Sequence, residues 1–315
     1  MKKVLITGGA GFIGSNFVRK FLELDYEVYI IEKKESNLWR LEDIKNKIKI
    51  NYINLEDFSR LKSFIIKTKP KIILHFATYG AYQSWQQDTK LTINTNLLGT
   101  VNLVNACSKI NFDCFINTGS SSEYGIKDKP MKENDLLEPV SLYGITKSAT
   151  TMYCQHVAKK YNLPIVTFRP FGVYGYFEAK KRLIPTIIKS CLKNEEFSLS
   201  SPNSVRDFVF IEDMMDAYLK AINNIQSIKG EILNLGTGKQ TRINEAVDLI
   251  REITNSNTKP QYGQERIAQY EPKNWVADIL KIKRLLNWQP KYSLKEGLKK
   301  DVEWFKKNIY VYEEK

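Results

Sequence analysis

Val4-Leu5-Ile6-Thr7-Gly8-Gly9-Ala10-Gly11-Phe12-Ile13-Gly14 opens the chain with an apolar run that ends in glycines at positions 8, 11 and 14. The run reads as a buried strand, and the glycines as a turn whose bare backbone lets the pyrophosphate of a dinucleotide approach. A side chain at Gly8 or Gly11 would block that approach. Gly14 lets the next helix pack closely, with its N-terminal amides and dipole facing the anion. Phe17, Val18, Phe21 and Leu22 give this helix an apolar stripe. A second strand then delivers Glu32 eighteen residues beyond Gly14, where a carboxylate accepts hydrogen bonds from an adenosine ribose. Strand, turn, helix and acid together predict a nicotinamide-dinucleotide site built on Gly8, Gly11, Phe12, Ile13, Gly14 and Glu32.

The same rhythm continues outward. Short apolar runs at Val4 to Ile6, Tyr26 to Ile31, Ile50 to Ile53, Ile72 to Phe76, Cys114 to Asn117 and Ile165 to Phe168 alternate with helical patterns. The expected fold is α/β, a Rossmann-type doubly wound parallel sheet. Ile93, Leu97, Val101 and Val104 repeat at helical spacing, so the fourth crossover is expected to be a helix. Beyond residue 170 the pattern loosens. Helices are expected over Leu183 to Leu192, Met214 to Ile222, Ile243 to Ile253, Ile279 to Leu286 and Leu294 to Phe305, the last opened by a Ser293-x-x-Glu296 capping box. Residues 1–170 are therefore expected to form the nucleotide-binding domain, with later returns near 205–225, and residues 171–315 a smaller α/β substrate lobe.

The 315 residues carry a formal charge of +13, which raises nucleic acid as a partner. The lysines are scattered singly and in pairs, with no dense basic run among aromatics, so a solvated surface is expected instead. No apolar run approaches the roughly 20 residues of a membrane span, and residues 1–14 read as strand and loop rather than a leader, so a cytoplasmic protein is expected. Cys107, Cys114, Cys154 and Cys191 stand far apart without metal-ligand spacing. They are expected to be reduced and buried, and no metal site is expected.

Tyr143-Gly144-Ile145-Thr146-Lys147 starts a helical stretch, and its i, i+4 spacing puts a phenol and an ammonium on one face. A tyrosine has a reference pKa of about 10, and a neighbouring cation favours its phenolate, which brings proton transfer into range. Directly after the fifth strand comes Gly119-Ser120-Ser121-Ser122-Glu123-Tyr124-Gly125. Hydroxyls there stand at the carboxyl edge of the sheet, where open α/β folds bind ligands.

These motifs, with His75-Phe76-Ala77-Thr78, Asn94 to Thr100, Arg169-Pro170 and Val205 to Asp213, occur in the order of the extended short-chain dehydrogenase/reductases that modify nucleotide sugars. The chain resembles that family over essentially its whole length. The resemblance implies an enzyme that uses NAD, with NADP as an alternative, on a nucleoside-diphosphate sugar, and it implies a homodimer. It makes Tyr143 the acid-base group, Lys147 its electrostatic partner and ribose anchor, and Ser120 the hydroxyl on the substrate oxygen, assisted by Ser122. It places Ala77 and Asn54 beside the cofactor, and Tyr79, Ser121, Leu183 and Arg206 beside the substrate. Relatives usually carry an Asp where Asn54 stands. Glu32 repels a ribose 2'-phosphate and favours NAD, whereas Lys33 and Lys34 tolerate NADP.

Eliminating water from a sugar needs an acid and a base just after the catalytic hydroxyl. Those positions are Ser121 and Ser122, with Glu123 one residue out of register, so 4,6-dehydration is disfavoured. A 4-keto-sugar reductase is the preferred expectation, because Ala77 to Gly80, Arg206 to Phe210, Leu235 to Gly238 and Trp288 to Pro290 look similar to the CDP-abequose and paratose type 4-ketoreductases. A 4-epimerase is the alternative. A regulatory nucleotide sensor would have lost the Tyr143 and Lys147 pair, which is present.

Overall fold

The computed structural model describes residues 1–81, 86–263 and 272–312. Its strands begin with β1 (Lys3–Thr7), β2 (Glu27–Glu32), β3 (Lys49–Tyr52), β4 (Ile72–His75), β5 (Cys114–Thr118) and β6 (Ile165–Pro170). Each of these matches an expected run to within two residues at either end. Four short strands follow, β7 (Gly172–Tyr174), β8 (Phe197–Leu199), β9 (Val205–Arg206) and β10 (Phe208–Phe210), and then β11 (Ile232–Leu235). The main sheet is parallel with the order β11-β6-β5-β4-β1-β2-β3. Its order reverses between β1 and β4, which is where the carboxyl ends of a doubly wound sheet open a crevice.

Alternation along the strands divides the core. Val4, Ile6, Ile72, Leu74 and Ile116 face one side, packed with α1 (Phe12–Glu23) and with residues from beyond position 170. Leu5, Ile73 and Phe115 face the other, packed with α2 (Phe58–Thr68), α4 (Gly99–Cys107) and α5 (Leu142–Tyr161), and α3 (Thr89–Ile93) leads into α4. Both faces of the central strands are covered, so β1, β4, β5 and β6 are buried almost throughout, including the polar Asn117, Thr167 and Arg169. The remaining helices are α6 (Leu183–Lys193), α7 (Ile211–Asn223), α8 (Ile225–Ile228), α9 (Ile243–Thr254), α10 (Leu280–Leu286) and α11 (Leu294–Asn308). The Ser293 and Glu296 capping box opens α11.

Two features depart from expectation. The sheet gains a seventh strand, β11, from the irregular second half; its Asn234 and the two Leu residues fill a site beside β6 that sequence rhythm does not mark. The expected crossover helix is also interrupted, because residues Asn94–Leu98 form a π-turn between α3 and α4. The four cysteines are free and buried. No helix among the described residues is long and apolar enough to cross a membrane.

Candidate functional site

A cleft of about 940 Å³ opens at the carboxyl ends of the strands. Its floor is the glycine turn. Gly8 adopts φ +68°, and a Cβ there would lie 2.7 Å from the Ala77 amide nitrogen; at Gly14 it would lie 2.1 Å from the Gly8 carbonyl oxygen. The β1 turn can therefore close against β4 and α1 only with bare backbone, which leaves the start of α1 facing the cleft. Glu32 ends β2 with its carboxylate buried, one oxygen accepting from the Ala10 amide at 2.7 Å and the other from the Ser36 hydroxyl at 2.9 Å. Burial pushes its carboxyl up, against these donors. Lys33 donates to Thr95 at 3.2 Å and Lys34 is exposed. Glycine cradle, helix N-terminus and acid fit a dinucleotide, and the acid at the ribose end fits one without a 2'-phosphate.

Asn54 lines this end of the cleft, while Asp57 caps α2 by accepting from the Arg60 amide at 3.0 Å. Asn54 is thus the cleft residue, and Asp57 belongs to the helix.

Ser141 caps α5 by accepting from the Gly144 amide, so the helix begins at the cleft and Tyr143 falls in its first turn. Lys147 is buried one turn later and donates to the Thr118 carbonyl at 2.8 Å, with its nitrogen 5.8 Å from the Tyr143 ring centre. Desolvation lowers the Lys147 ammonium to about 8, opposed by the negative charge of Glu123. Ser120 lies across from this pair at the end of β5. Its hydroxyl accepts from the Ser122 amide at 3.1 Å, which leaves its proton to donate to a ligand oxygen. Ser121 and Ser122 line the cleft too, as do Ala77, Tyr79 and Arg206.

Leu183 is the exception. It starts α6 packed against the core and does not line the cleft, because its apolar side chain is drawn into the lobe interior; its neighbour Arg182 lines the cleft instead. Asp207 holds the Gly236-Thr237-Gly238 turn, accepting from the Thr237 amide at 2.7 Å, the Gly238 amide at 3.0 Å and the Ala277 amide at 3.1 Å.

The structure adds residues that sequence reading missed. Asn96, in the π-turn, donates to the Tyr79 carbonyl and to Thr146, both at 2.9 Å, and accepts from the Tyr79 amide at 2.8 Å. Thr146 in turn donates to the Tyr143 carbonyl at 2.9 Å. The π-turn therefore ties the cleft wall to the Tyr143 helix, a use to which such turns are often put. His75 lies below. The Thr100 hydroxyl donates to the Asn96 carbonyl, so His75 Nε2 donates to Thr100 at 2.8 Å and Nδ1 accepts from Thr7 at 2.6 Å. Burial lowers this imidazole to about 3, so it is a neutral spacer. The signal for this network in the sequence is the polar run Asn94-Thr95-Asn96 with Thr100, in a stretch of otherwise helical apolar spacing.

Comparison with known proteins places this arrangement. The model of the NAD dependent epimerase/dehydratase family matches residues 4–236. The chain is 30% identical to the dTDP-D-glucose 4,6-dehydratase of Mus musculus, covering 98% of this chain and 90% of that one. Among solved structures, the UDP-glucose 4-epimerase of Thermotoga maritima with UDP-glucose matches at TM-score 0.87 and 30% identity, covering 98% of this chain and 99% of that one. The UDP-glucuronic acid 4-epimerase of Bacillus cereus, in complex with UDP-glucuronic acid and NAD, matches at TM-score 0.85 and 27% identity, covering 97% and 99%. The chain therefore belongs to the NAD dependent epimerase/dehydratase family, enzymes of the extended short-chain dehydrogenase/reductase class.

Proposed function

We propose that this chain catalyses oxidation and reduction at C4 of a nucleoside-diphosphate sugar, as a 4-epimerase. The observation that carries this reading is the meeting of Tyr143, Lys147 and Ser120 in the same cleft as the glycine turn and Glu32. The turn, Glu32, Asn54, Ala77 and Lys147 would hold NAD, which supplies hydride uptake and return when bound. Tyr143 takes the proton of the C4 hydroxyl as the C4–H bond is broken, and gives it back to the C4 oxygen when that bond re-forms. The Lys147 ammonium favours the phenolate needed for the first step. Ser120 donates a hydrogen bond to the C4 oxygen, supported by Ser122. Arg206 offers a planar fork for the diphosphate, and Tyr79, Ser121 and the Ala179 to Arg182 loop, with Leu183 behind it, form the sugar wall. Residues 171–315 serve mainly as the substrate lobe.

The balance between epimerase and reductase turns on which resembling stretches touch the cleft. Trp288 is fully buried and Asp207 is tied to a turn, so the Trp288 stretch owes its resemblance to packing and the Arg206 to Phe210 stretch reaches the cleft through Arg206. Glu32 favours NAD, which suits a cycle that returns the hydride it takes. The 4-keto-sugar reductase remains a second reading because Ala77, Thr78 and Tyr79 do line the cleft. 4,6-Dehydration is disfavoured by the serines at 121 and 122.

The test is to incubate the protein with UDP-, dTDP-, CDP- and GDP-sugars carrying deuterium at C4. An epimerase yields the C4 epimer with its deuterium kept and no added reduced cofactor. Stoichiometric consumption of NADH or NADPH on a 4-keto sugar would instead establish the reductase, and inertness toward all of them would sink both. We also propose a homodimer. Leu98, Ile145 and Met152 leave apolar side chains exposed on the helices near 92–109 and 142–160, and sedimentation at micromolar concentration tests this.

A further inference from the structure

Glu123 is the one acid of the serine loop, and neither the nucleotide cradle nor the proton transfer uses it. Its carboxylate is fully buried. One oxygen accepts from the Ser120 amide at 2.8 Å and from the Thr151 hydroxyl at 2.9 Å; the other accepts from Arg169 Nε at 2.7 Å. Thr151 follows Lys147 by four residues as Lys147 follows Tyr143, so the three share one face of α5. A single carboxylate oxygen thus joins the Ser120 turn to the helix that carries the other two reacting groups.

We propose that Glu123 is a positioning residue for the reaction, which clamps Ser120 to the Tyr143, Lys147 and Thr151 face of α5 and sets a carboxyl group in the buried patch where Lys147 holds the Thr118 carbonyl. The inference rests on the roles given above to Tyr143, Lys147 and Ser120. Glu123 is oriented away from the sugar by its place in the loop. The first turn after β5, Ser121–Glu123, is a 3-10 turn with a capping box, in which Ser120 accepts from the Ser122 amide and Glu123 reaches back to the Ser120 amide. A carboxylate in that position faces the helix behind the loop, and it is therefore unsuited to protonating a sugar carbon.

Charges around the pair come from every packed element. Lys147 faces Glu123 from the loop, Cys154 from α5 itself and the neutral His75 on β4. Glu123 faces Arg169 on β6, whose guanidinium also donates to the Tyr124 hydroxyl at 3.0 Å and the Glu133 carbonyl at 3.2 Å. Burial pushes the Glu123 carboxyl up against the Arg169 charge and its hydrogen-bond donors, and it lowers the Lys147 ammonium against the Glu123 charge, while Cys154 is held neutral by burial.

Glu123→Gln keeps an acceptor oxygen and removes the charge. In protein labelled with [ε-¹³C]lysine, one signal is expected to titrate near pH 8, to vanish in Lys147→Met, and to titrate at lower pH in Glu123→Gln. With UDP-glucose as probe, the same variant is expected to lose about tenfold or more in kcat with KM changed less than about twofold, and the alkaline limb of its kcat profile should move to lower pH. A purely structural lesion would lower the rate at all pH values and leave that limb in place. Should Glu123→Gln fail to fold, because Arg169 is left unpaired, Thr151→Val removes only the α5 side of the clamp; it should lower kcat with KM unchanged. A folded Glu123→Gln with an unmoved lysine signal, or a Thr151→Val with wild-type kcat, would overturn the inference. Inertness of the wild type toward UDP-glucose would move the kinetic arm to the other nucleotide sugars and leave the inference to be decided by the lysine titration, which needs no substrate.

Discussion

Glu123 and Asp301 are both buried carboxylates, and they are held in opposite ways. Glu123 sits beneath the reacting residues with three donors, one of them the guanidinium of its counter-ion Arg169. Asp301, on α11 in the second half of the chain, has no hydrogen-bond partner on either oxygen among the described residues, and neither has Oε2 of its neighbour Glu178. Burial raises the Asp301 carboxyl well above the usual range, reinforced by Glu178, and raises Glu178 to about 7 despite Arg182. In one region burial pushes the carboxyl up and the Arg169 guanidinium, with the Ser120 and Thr151 donors, works to hold its charge. In the other, burial favours the protonated carboxyls, opposed at Glu178 by Arg182 at 3.4 Å. A fixed charge is useful where electrostatics must be prepared before a reaction, whereas neutral acids serve packing and tie stability to pH.

The sharpest way to separate the two regions is to change the reacting group itself. Tyr143→Phe is expected to lower turnover about 10²- to 10⁴-fold while leaving the melting temperature nearly unchanged. Near-wild-type turnover in steady-state assays would remove Tyr143 from the mechanism. Removing the counter-ion should instead strike the fold. Arg169→Met leaves Glu123 buried with no cation, at an expected cost of about 3–5 kcal/mol in chemical denaturation, and a loss below 1 kcal/mol would show that the Glu123 site is not held by charge.

In the second region the effect is smaller and depends on pH. The Glu178 carboxyl has its ordinary value of 4.5 in the unfolded chain and is pushed up to about 7 by burial in the fold. The folded protein holds a proton that the unfolded chain has released, so this contribution is whole below about pH 4.5 and is lost as pH rises through 7. Glu178→Gln should therefore raise stability at pH 8 by on the order of 2 kcal/mol relative to pH 4.5, measured by denaturation at both values. An unchanged difference between the two pH values would mean that Glu178 stays ionised in the fold. Smallest of all, Asp301→Asn should change stability at pH 7 by less than about 1 kcal/mol and leave turnover intact, because an amide replaces an acid that is already neutral. A loss of several kcal/mol would show that Asp301 is ionised and partnered after all.

Much of the cofactor end was legible before any coordinates. Spacing alone marked Gly8, Gly11, Gly14 and Glu32, since phosphate access and ribose bonding constrain residue type within one βαβ unit, and local period marked the first six strands. Helical spacing likewise put Tyr143 and Lys147 on one face. The substrate side was less legible. Leu183 matched a family segment, yet whether a helix N-terminal residue faces a cleft or a core depends on how the helix is rotated against other elements. Arg182 took the place that Leu183 was expected to fill.

What the sequence by itself determined is therefore what residues near one another dictate: the strand–turn–helix cradle, the parallel α/β class, and a phenol and ammonium one helical turn apart. What only the tertiary structure decided is where distant polar groups meet. Glu123 is 28 residues from Thr151 and 46 from Arg169 in the chain, and Asn96 is 50 from Thr146. No local period encodes such pairs, because their partners are chosen by the packing of α5 and β6 against the Ser120 turn. The seventh strand follows the same logic: Ile232–Leu235 becomes part of the sheet because β6 offers it an unpaired edge, a circumstance that exists only once the first six strands have assembled.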